Sequence, residues 1–412
     1  MAPERVCLAY SGGLDTSTIL KYCAPHVLLS DGLRREDYDV VKSSSSMWRR
    51  QSSWLVLQGY EVVCFLGDCG QEEDFDAVKA KALKLGAEKM IIENVQQELI
   101  DDLVWPAIQC NAIYEGQCTG KGNDQVRFEL AWKACDPKMK VLAPWRIPAF
   151  FNRFQGRADL LKFAEEQKIP VSSTPKAPWS MDDNIIHCSY EAGILEQTDK
   201  EPPKDMWKRT VDPLDAPDKP TRFTVHFAEG VPVKLEVDGK TVTGSLEIFK
   251  EANELGRANG IGREDIVESR FIGLKSRGCY DTPGLTILRK LHQNLEGLVM
   301  DSKVRIIRDR LSDDWAQCIY NARSPFPSSP VGLDILNASS FSRALAYKGN
   351  VIIVGRSSET SNLYSEEESS MDTLDMDWSV EDTTGFINVN AIRIAKYGER
   401  KIRDGEPLSK RK

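Results

Sequence analysis

No stretch of this 412-residue chain approaches the roughly 18 consecutive apolar residues that a membrane span needs. Its first residues, Met1-Ala-Pro-Glu-Arg5, lead directly into a strand-like run, without the apolar core of a signal peptide. Histidine is scarce: four residues lie far apart, and no metal-ligand spacing joins them. The ten cysteines never occur as C-x-x-C, and several (Cys7, Cys64, Cys279) sit in apolar runs. Buried, reduced thiols are therefore expected. Positive charge does not predominate either. The formal net charge is −8, which argues against nucleic acid or an anionic membrane as partner, and any site for a polyanion must be locally basic. No internal repeat is found. These absences predict a soluble, cytoplasmic α/β protein with no protein metal site, and its length and 41% hydrophobic content allow a full core and at least two domains.

The chain is organised around Val6-Cys-Leu-Ala9-Tyr10-Ser11-Gly12-Gly13-Leu14-Asp15-Thr16-Ser17. Val6 to Tyr10 reads as a buried parallel strand, the adjacent glycines as a tight turn, and Thr16-Ser17 as the start of a helix carrying Ile19 and Leu20. Strand, Gly-rich turn and helix N-terminus together suit an anion. No Gly-Lys-Ser/Thr follows, so this is not a Walker A loop, and adjacent glycines do not make a G-x-G-x-x-G fingerprint.

Further along, residues 23–54 lack helical or strand periodicity, and joining Tyr22 to Leu55 would restore one apolar helix face. They read as an inserted loop, outside the core. Glu61 to Phe65 is a strand, Gly67 to Phe75 a turn with acidic residues, then a helix to Leu85 closed by Gly86. Lys89 to Ile92 is a third strand, followed by an amphipathic helix to about Tyr114. A second polar loop, Cys118-Thr119-Gly120-Lys121-Gly122-Asn123-Asp124-Gln125-Val126-Arg127, flanks a lysine with glycines before a helix, and Asn123 and Arg127 share a helix face. A strand from Val141 and a helix over about 158–167 precede Pro-rich chain at 170–178, a plausible domain boundary. Ser180 and Ser189 flank Ile185-Ile186, and by themselves read as helix caps. Phe223 to Val237 with Asp238-Gly239 reads as a hairpin. Helices are expected at Leu246–Asn259, Thr286–Val299 and Val304–Tyr320. Residues 322–346 show weak periodicity, and an amphipathic helix ends in a basic tail.

Ser-Gly-Gly-x-Asp-x-Ser resembles the pyrophosphate loop of the N-type ATP pyrophosphatases, and the fuller Leu8–Ser17 match is similar to the argininosuccinate synthase family within them. The second polar loop, Glu268-Ser-Arg270 and Lys275–Pro283 carry the resemblance onward. It implies a parallel-sheet nucleotide-binding domain over 1–172, an α+β synthetase and multimerisation domain over 173–362, and an oligomerisation tail over 363–412 in a homotetramer. The implied reaction ligates citrulline to aspartate with ATP and Mg²⁺, giving argininosuccinate, AMP and pyrophosphate through a citrullyl-adenylate, with no covalent enzyme nucleophile. Implied for ATP are Ala9, Tyr10, Ser11 to Ser17, Gly67 and Cys118 to Gly122. Implied for aspartate are Thr119, Asn123 and Asp124, and for citrulline Asn123, Arg127, Ser180, Ser189, Glu268 and Tyr280.

The chain departs from that family before Cys118, where a loop, a helix and a strand are missing and two citrulline contacts go with them. Losing two such hydrogen bonds, at roughly 1.5–3 kcal/mol each, predicts a severely impaired enzyme. The alternatives at this point are another N-type pyrophosphatase, a nucleotide-binding module without turnover, and a misassembled reading frame.

Overall fold

The computed structural model describes residues 5–9, 11, 39–41, 60–113, 128–131, 136–138, 140–155, 157–169, 179–269, 274–320, 340–359 and 379–403. Its N-terminal part is a parallel sheet in the order β4-β3-β1-β2-β5, built from β1 (Arg5–Ala9), β2 (Asp39–Val41), β3 (Glu61–Asp68), β4 (Lys89–Asn94) and β5 (Val141–Leu142). Val6, Leu8, Val62, Cys64 and Leu66 share one face and pack with α1 (Phe75–Leu85) through Val78, Ala82 and Leu85. Phe150, Phe154, Leu160 and Phe163 of α3 (Pro148–Arg153), α4 (Arg157–Glu166) and their junction complete that core. Asp74 caps α1 by accepting the Ala77 N–H, and Gly86 closes it at φ 109°, where a side chain would be strained.

Three sequence expectations are corrected here. Residues 23–54 are not wholly outside the sheet, because Asp39–Val41 pairs in parallel with β1 on one side and β5 on the other. A three-residue strand is too short to show alternation, and two adjacent valines are its only β signal. The helix expected up to Tyr114 is interrupted by a π-helical stretch, Leu99–Val104, before α2 (Trp105–Gln109). Pro106 has no N–H to donate, and the Trp105 N–H reaches the Ile100 carbonyl five residues back. The strands read at Glu61–Phe65 and Lys89–Ile92 also run longer, to Asp68 and Asn94, so Gly67 is a strand residue of β3.

The remainder of the first compact unit, which spans Met1–Thr360, contains two antiparallel sheets. One has four strands in the order β11-β12-β7-β6: β6 (Ser180–Asp183), β7 (Cys188–Glu191), β11 (Arg263–Ser269) and β12 (Lys275–Asp281). The other has five, β10-β9-β8-β13-β14: β8 (Thr221–Ala228), β9 (Val231–Val237), β10 (Lys240–Thr243), β13 (Ser340–Tyr347) and β14 (Asn350–Ser358). Its inner face packs on α5 (Ser245–Ala258) and α6 (Pro283–Val299), with α7 (Ser302–Tyr320) following. Phe223 to Val237 is itself two strands, turning at Glu229-Gly230, and Asp238-Gly239 makes the next turn. Both turns have positive φ at both residues, which suits tight hairpins. The weakly periodic segment 322–346 holds most of β13. Its buried face is Ser340, Ser342, Ala344 and Ala346, residues too small or polar to register as an apolar stripe.

Ser361–Lys412 forms the second unit, whose described part is α8 (Val380–Arg403). Phe386, Ile387, Val389, Ile392 and Ile394 are exposed on it. Among the described residues no helix is long and apolar enough to cross a membrane.

Candidate functional site

Directly opposed residues in an antiparallel pair point to the same side, and residues two apart do likewise. Tyr280 opposes Ser189 and Glu264, Ser189 opposes Asp182, and Ser180 opposes Glu191. Glu268 lies on β11 four residues beyond Glu264, an even step, so Ser180, Ser189, Glu268 and Tyr280 all share one face of the four-stranded sheet. The serines expected as helix caps are strand residues; no helix begins at either.

This face is polar and buried. Ser189 and Tyr280 are 1% exposed, and Glu191 and Glu268 are 4% exposed. Tyr280 lies flat along its own strand over Gly278, where an added Cβ would come within 3.0 Å of the ring, and donates its hydroxyl to Glu268 Oε1 at 3.0 Å. Glycine at 278 is thus what lets the phenol reach back to the carboxylate. Ser189 donates to the Asp182 carbonyl at 3.5 Å, and the His187 ring stands 6.0 Å from that of Tyr280. Asp182, His187, Glu191 and Glu264 share the face and were missed in the sequence; period-two counting from Ser180 and Ser189 would have found the first three.

The opposite face carries Met181, Cys188, Tyr190 and Cys279, packed with Leu195 and Met206. Burial pushes the Cys188 and Cys279 thiols up to about 12 and the Tyr190 phenol upward. Cys7 is likewise raised to about 11 by burial. These thiols are protonated at neutral pH and are poor nucleophiles.

At the carboxyl edge of the parallel sheet, Ala9 ends β1 and Gly67 lies near the end of the neighbouring β3, two residues past the Ala9–Phe65 pair. Ser11 is exposed just beyond. A turn follows β3: Asp68 Oδ1 accepts the Gly70 N–H at 2.8 Å and Gln96 Nε2 at 2.9 Å, while Gln71 accepts the Cys69 N–H and donates to the Gly67 carbonyl. Ligands of open parallel sheets bind at this edge. Tyr10, Gly12 to Ser17, Cys118 to Asp124 and Arg127 lie outside the described residues. Among the described residues no group of three or more His, Cys, Asp or Glu side chains could hold a metal ion.

A parallel sheet with a ligand-binding carboxyl edge and an antiparallel sheet with a buried polar centre lie in one compact unit, an α/β architecture suited to an enzyme. The comparisons carry this further. The Arginosuccinate synthase N-terminal HUP domain matches residues 51–117 and 116–170, and the Arginosuccinate synthase C-terminal domain matches 179–397. The chain is 45% identical to the argininosuccinate synthase of Schizosaccharomyces pombe, over 97% of this chain and 98% of that protein. It is 45% identical to that of Saccharomyces cerevisiae over 99% and 100%, and 40% identical to that of Mus musculus over 95% and 96%. The chain belongs to the argininosuccinate synthase family.

The two pieces of the N-terminal match overlap at 116–117, and the first piece begins at residue 51. The alignment with the Saccharomyces cerevisiae protein runs over 452 positions, against 412 residues in this chain.

Proposed function

We propose that this chain is an ATP-dependent carbon–nitrogen ligase that joins citrulline to aspartate, releasing AMP and pyrophosphate. The observation that supports the assignment of residues is the one polar sheet face shared by Ser180, Ser189, Glu268 and Tyr280, with Ser189, Glu268 and Tyr280 buried on it. A zwitterion with a ureido tail needs both acceptors and donors, and this face has both. Glu268, aimed by the Tyr280 hydroxyl, accepts N–H groups of citrulline, while the serine hydroxyls donate to its oxygens. Asn123 and Arg127 complete the citrulline set, and Thr119, Asn123 and Asp124 take aspartate.

ATP lies at the carboxyl edge of the parallel sheet, with adenine against Gly67 and the phosphates on Ser11 to Ser17 and Cys118 to Gly122. Mg²⁺ arrives with the nucleotide as part of the substrate, held by its phosphates. The ureido oxygen is a poor leaving group, so it attacks the α-phosphorus first; the aspartate amine then displaces AMP. The chain contributes position and charge complementarity rather than a covalent nucleophile. The exposed apolar residues of α8 support association into a homotetramer, and the absence of a spanning helix among the described residues fits work in the cytoplasm.

The test is pyrophosphate release by the purified chain. Release that requires both citrulline and aspartate is the expected result; release indifferent to either amino acid would refute the assignment.

A second reading, a severely slowed member of the family or a faulty reading frame, is favoured by the break in the family match at 116–117. Two lost hydrogen bonds would slow kcat/KM by roughly two to four orders of magnitude. Restoring the missing segment separates the readings. The second requires a large gain in rate, and equal rates reject it.

A further inference from the structure

The turn after β3 does more than end a strand. Ile185, in the β6–β7 connection, donates its N–H to the Cys69 carbonyl at 2.7 Å, and its own carbonyl accepts Asn253 Nδ2 at 2.8 Å. Gly70, at φ 83°, sits so close that an added Cβ would lie 2.7 Å from the Ile185 Cβ. The turn and the four-stranded sheet are therefore in direct backbone contact.

Arg209 ties this junction together. It is 8% exposed, and its guanidinium reaches both sides at once. Nη2 donates to the Gly70 carbonyl at 3.2 Å and the Asn184 carbonyl at 2.9 Å, while Nε donates to Asp183 Oδ1 at 2.8 Å, with Nη2 2.6 Å from the same oxygen. Its backbone N–H donates to Asp281 Oδ2 at 2.8 Å. Asp183 and Asp281 both pair with Cys188 and form one rung of the sheet. The next rung is Asp182, Ser189 and Tyr280, on the polar face.

One planar side chain thus connects the nucleotide edge of the parallel sheet to the rung beside the citrulline face. A planar fork can satisfy a carboxylate and two carbonyls in fixed directions, which a flexible ammonium cannot. The connection is buried and joins the Gly70 and Asn184 carbonyls to the Asp183 and Asp281 carboxylates, so a displacement of the turn on nucleotide binding would be passed to β6 and β12.

We propose that Arg209 is a positioning residue that couples the two substrate sites, so that nucleotide and citrulline each strengthen the binding of the other. The proposal rests on the site reading given above and adds a residue that touches neither substrate.

Calorimetric titration of citrulline, with and without a saturating non-hydrolysable ATP analogue, tests it on the unaltered chain, Arg209→Met and Arg209→Lys. The analogue is expected to tighten citrulline binding by at least ~5-fold in the unaltered chain and by less than ~2-fold in Arg209→Met. Affinity for the analogue alone should stay within ~2-fold, since no nucleotide contact is removed. Should Arg209→Met fail to fold, Arg209→Lys decides: it keeps the charge on Asp183 but not the two carbonyl contacts, and should lose at least about half of the coupling free energy.

Full coupling in either folded variant would overturn the proposal. So would an unaltered chain that binds both ligands independently, and that result would leave the functional reading standing. An unaltered chain that binds neither ligand would overturn the functional reading, and the coupling with it.

Discussion

In the five-stranded sheet, Phe223, Val225, Leu235 and Ala344 point at α5 and α6, and the other face, with Thr224, His226 and Glu236, is half-exposed. In the four-stranded sheet both faces are buried along β7 and the end of β12, one apolar through Cys188, Tyr190 and Cys279, the other polar through Ser189, Glu191 and Tyr280. Both sheets are antiparallel and lie in the same compact unit. The first follows the ordinary division of apolar inside and polar outside. The second keeps hydroxyls and carboxyls away from water, which costs stability unless each is met. The face that is both polar and buried is the one proposed above to handle a ligand, whereas the five-stranded sheet is where apolar burial is concentrated.

The strongest way to break that division is to damage the five-stranded sheet. Phe249 is fully buried on α5, with its ring 5.8 Å from that of Trp105. Phe249→Ala should lower unfolding free energy by about 3–5 kcal/mol in urea titrations. The folded fraction should keep its citrulline affinity. A loss under about 1 kcal/mol would deny the sheet its structural role.

Titration gives the next largest effect. Burial alone would raise the Glu296 carboxyl, but hydrogen bonds and charge from His292 and Arg308 outweigh it and hold the group at about 2. Arg308 grips both carboxylate oxygens, at 2.8 and 2.6 Å, and also donates to the Gln109 carbonyl at 3.0 Å. A carboxyl depressed by folding adds stability that is complete above its unfolded value and disappears as pH falls from 4.5 through about 2. That difference corresponds to about 3 kcal/mol, readable as a shift in the urea midpoint. Asp281, under the polar face, goes the other way: burial raises it, so its contribution is present below 3.8 and is lost as pH rises through its folded value. Glu296→Gln should flatten the acid limb; an unchanged limb would remove Glu296 from the account.

On the polar face itself the expected cost is functional. Tyr280→Phe removes the hydroxyl that orients Glu268, and a hydrogen bond to a charged group is worth about 1.5–3 kcal/mol, or roughly 10- to 150-fold in citrulline KM. The melting temperature should move little. A large drop in melting temperature with KM unchanged would reverse the comparison between the sheets.

How much of this was legible beforehand differs between the same two sheets. The hairpin read at Phe223–Val237 with its Asp238-Gly239 turn and the amphipathic helix at Leu246–Asn259 announced part of the five-stranded sheet and its cover, yet β13 was hidden because its inner face is serine and alanine. The residues proposed for citrulline were named through resemblance, but their common face was not. Ser180 and Ser189 are nine residues apart, and the turn at 184–187, where Asn184 Oδ1 accepts the Ile186 N–H, brings them two rungs apart on one face. Strand β2 was illegible for a different reason. Its place in the sheet is set by partners on either side rather than by its own three residues. Arg209 carried no signal either, since its partners Gly70 and Asp183 are far from it in sequence.

The smallest expected effect sharpens the comparison most, because it separates packing from chemistry within one site. Gly278 has no unusual backbone angle, so only the Tyr280 ring, 3.0 Å from an added Cβ, excludes a methyl group there. Gly278→Ala must lift the ring from its place along the strand. The expected loss of stability is about 1 kcal/mol, at the low end for added volume in packed surroundings, because a ring edge can move where backbone cannot. The Tyr280–Glu268 hydrogen bond should lengthen with it, so citrulline KM should rise roughly tenfold, in the direction of Tyr280→Phe. The double variant Gly278→Ala/Tyr280→Phe decides whether the methyl group acts through the hydroxyl. If it does, the double variant has the KM of Tyr280→Phe alone, and the two effects fail to add. Additive effects would mean that Gly278 influences citrulline by some other contact of the polar face.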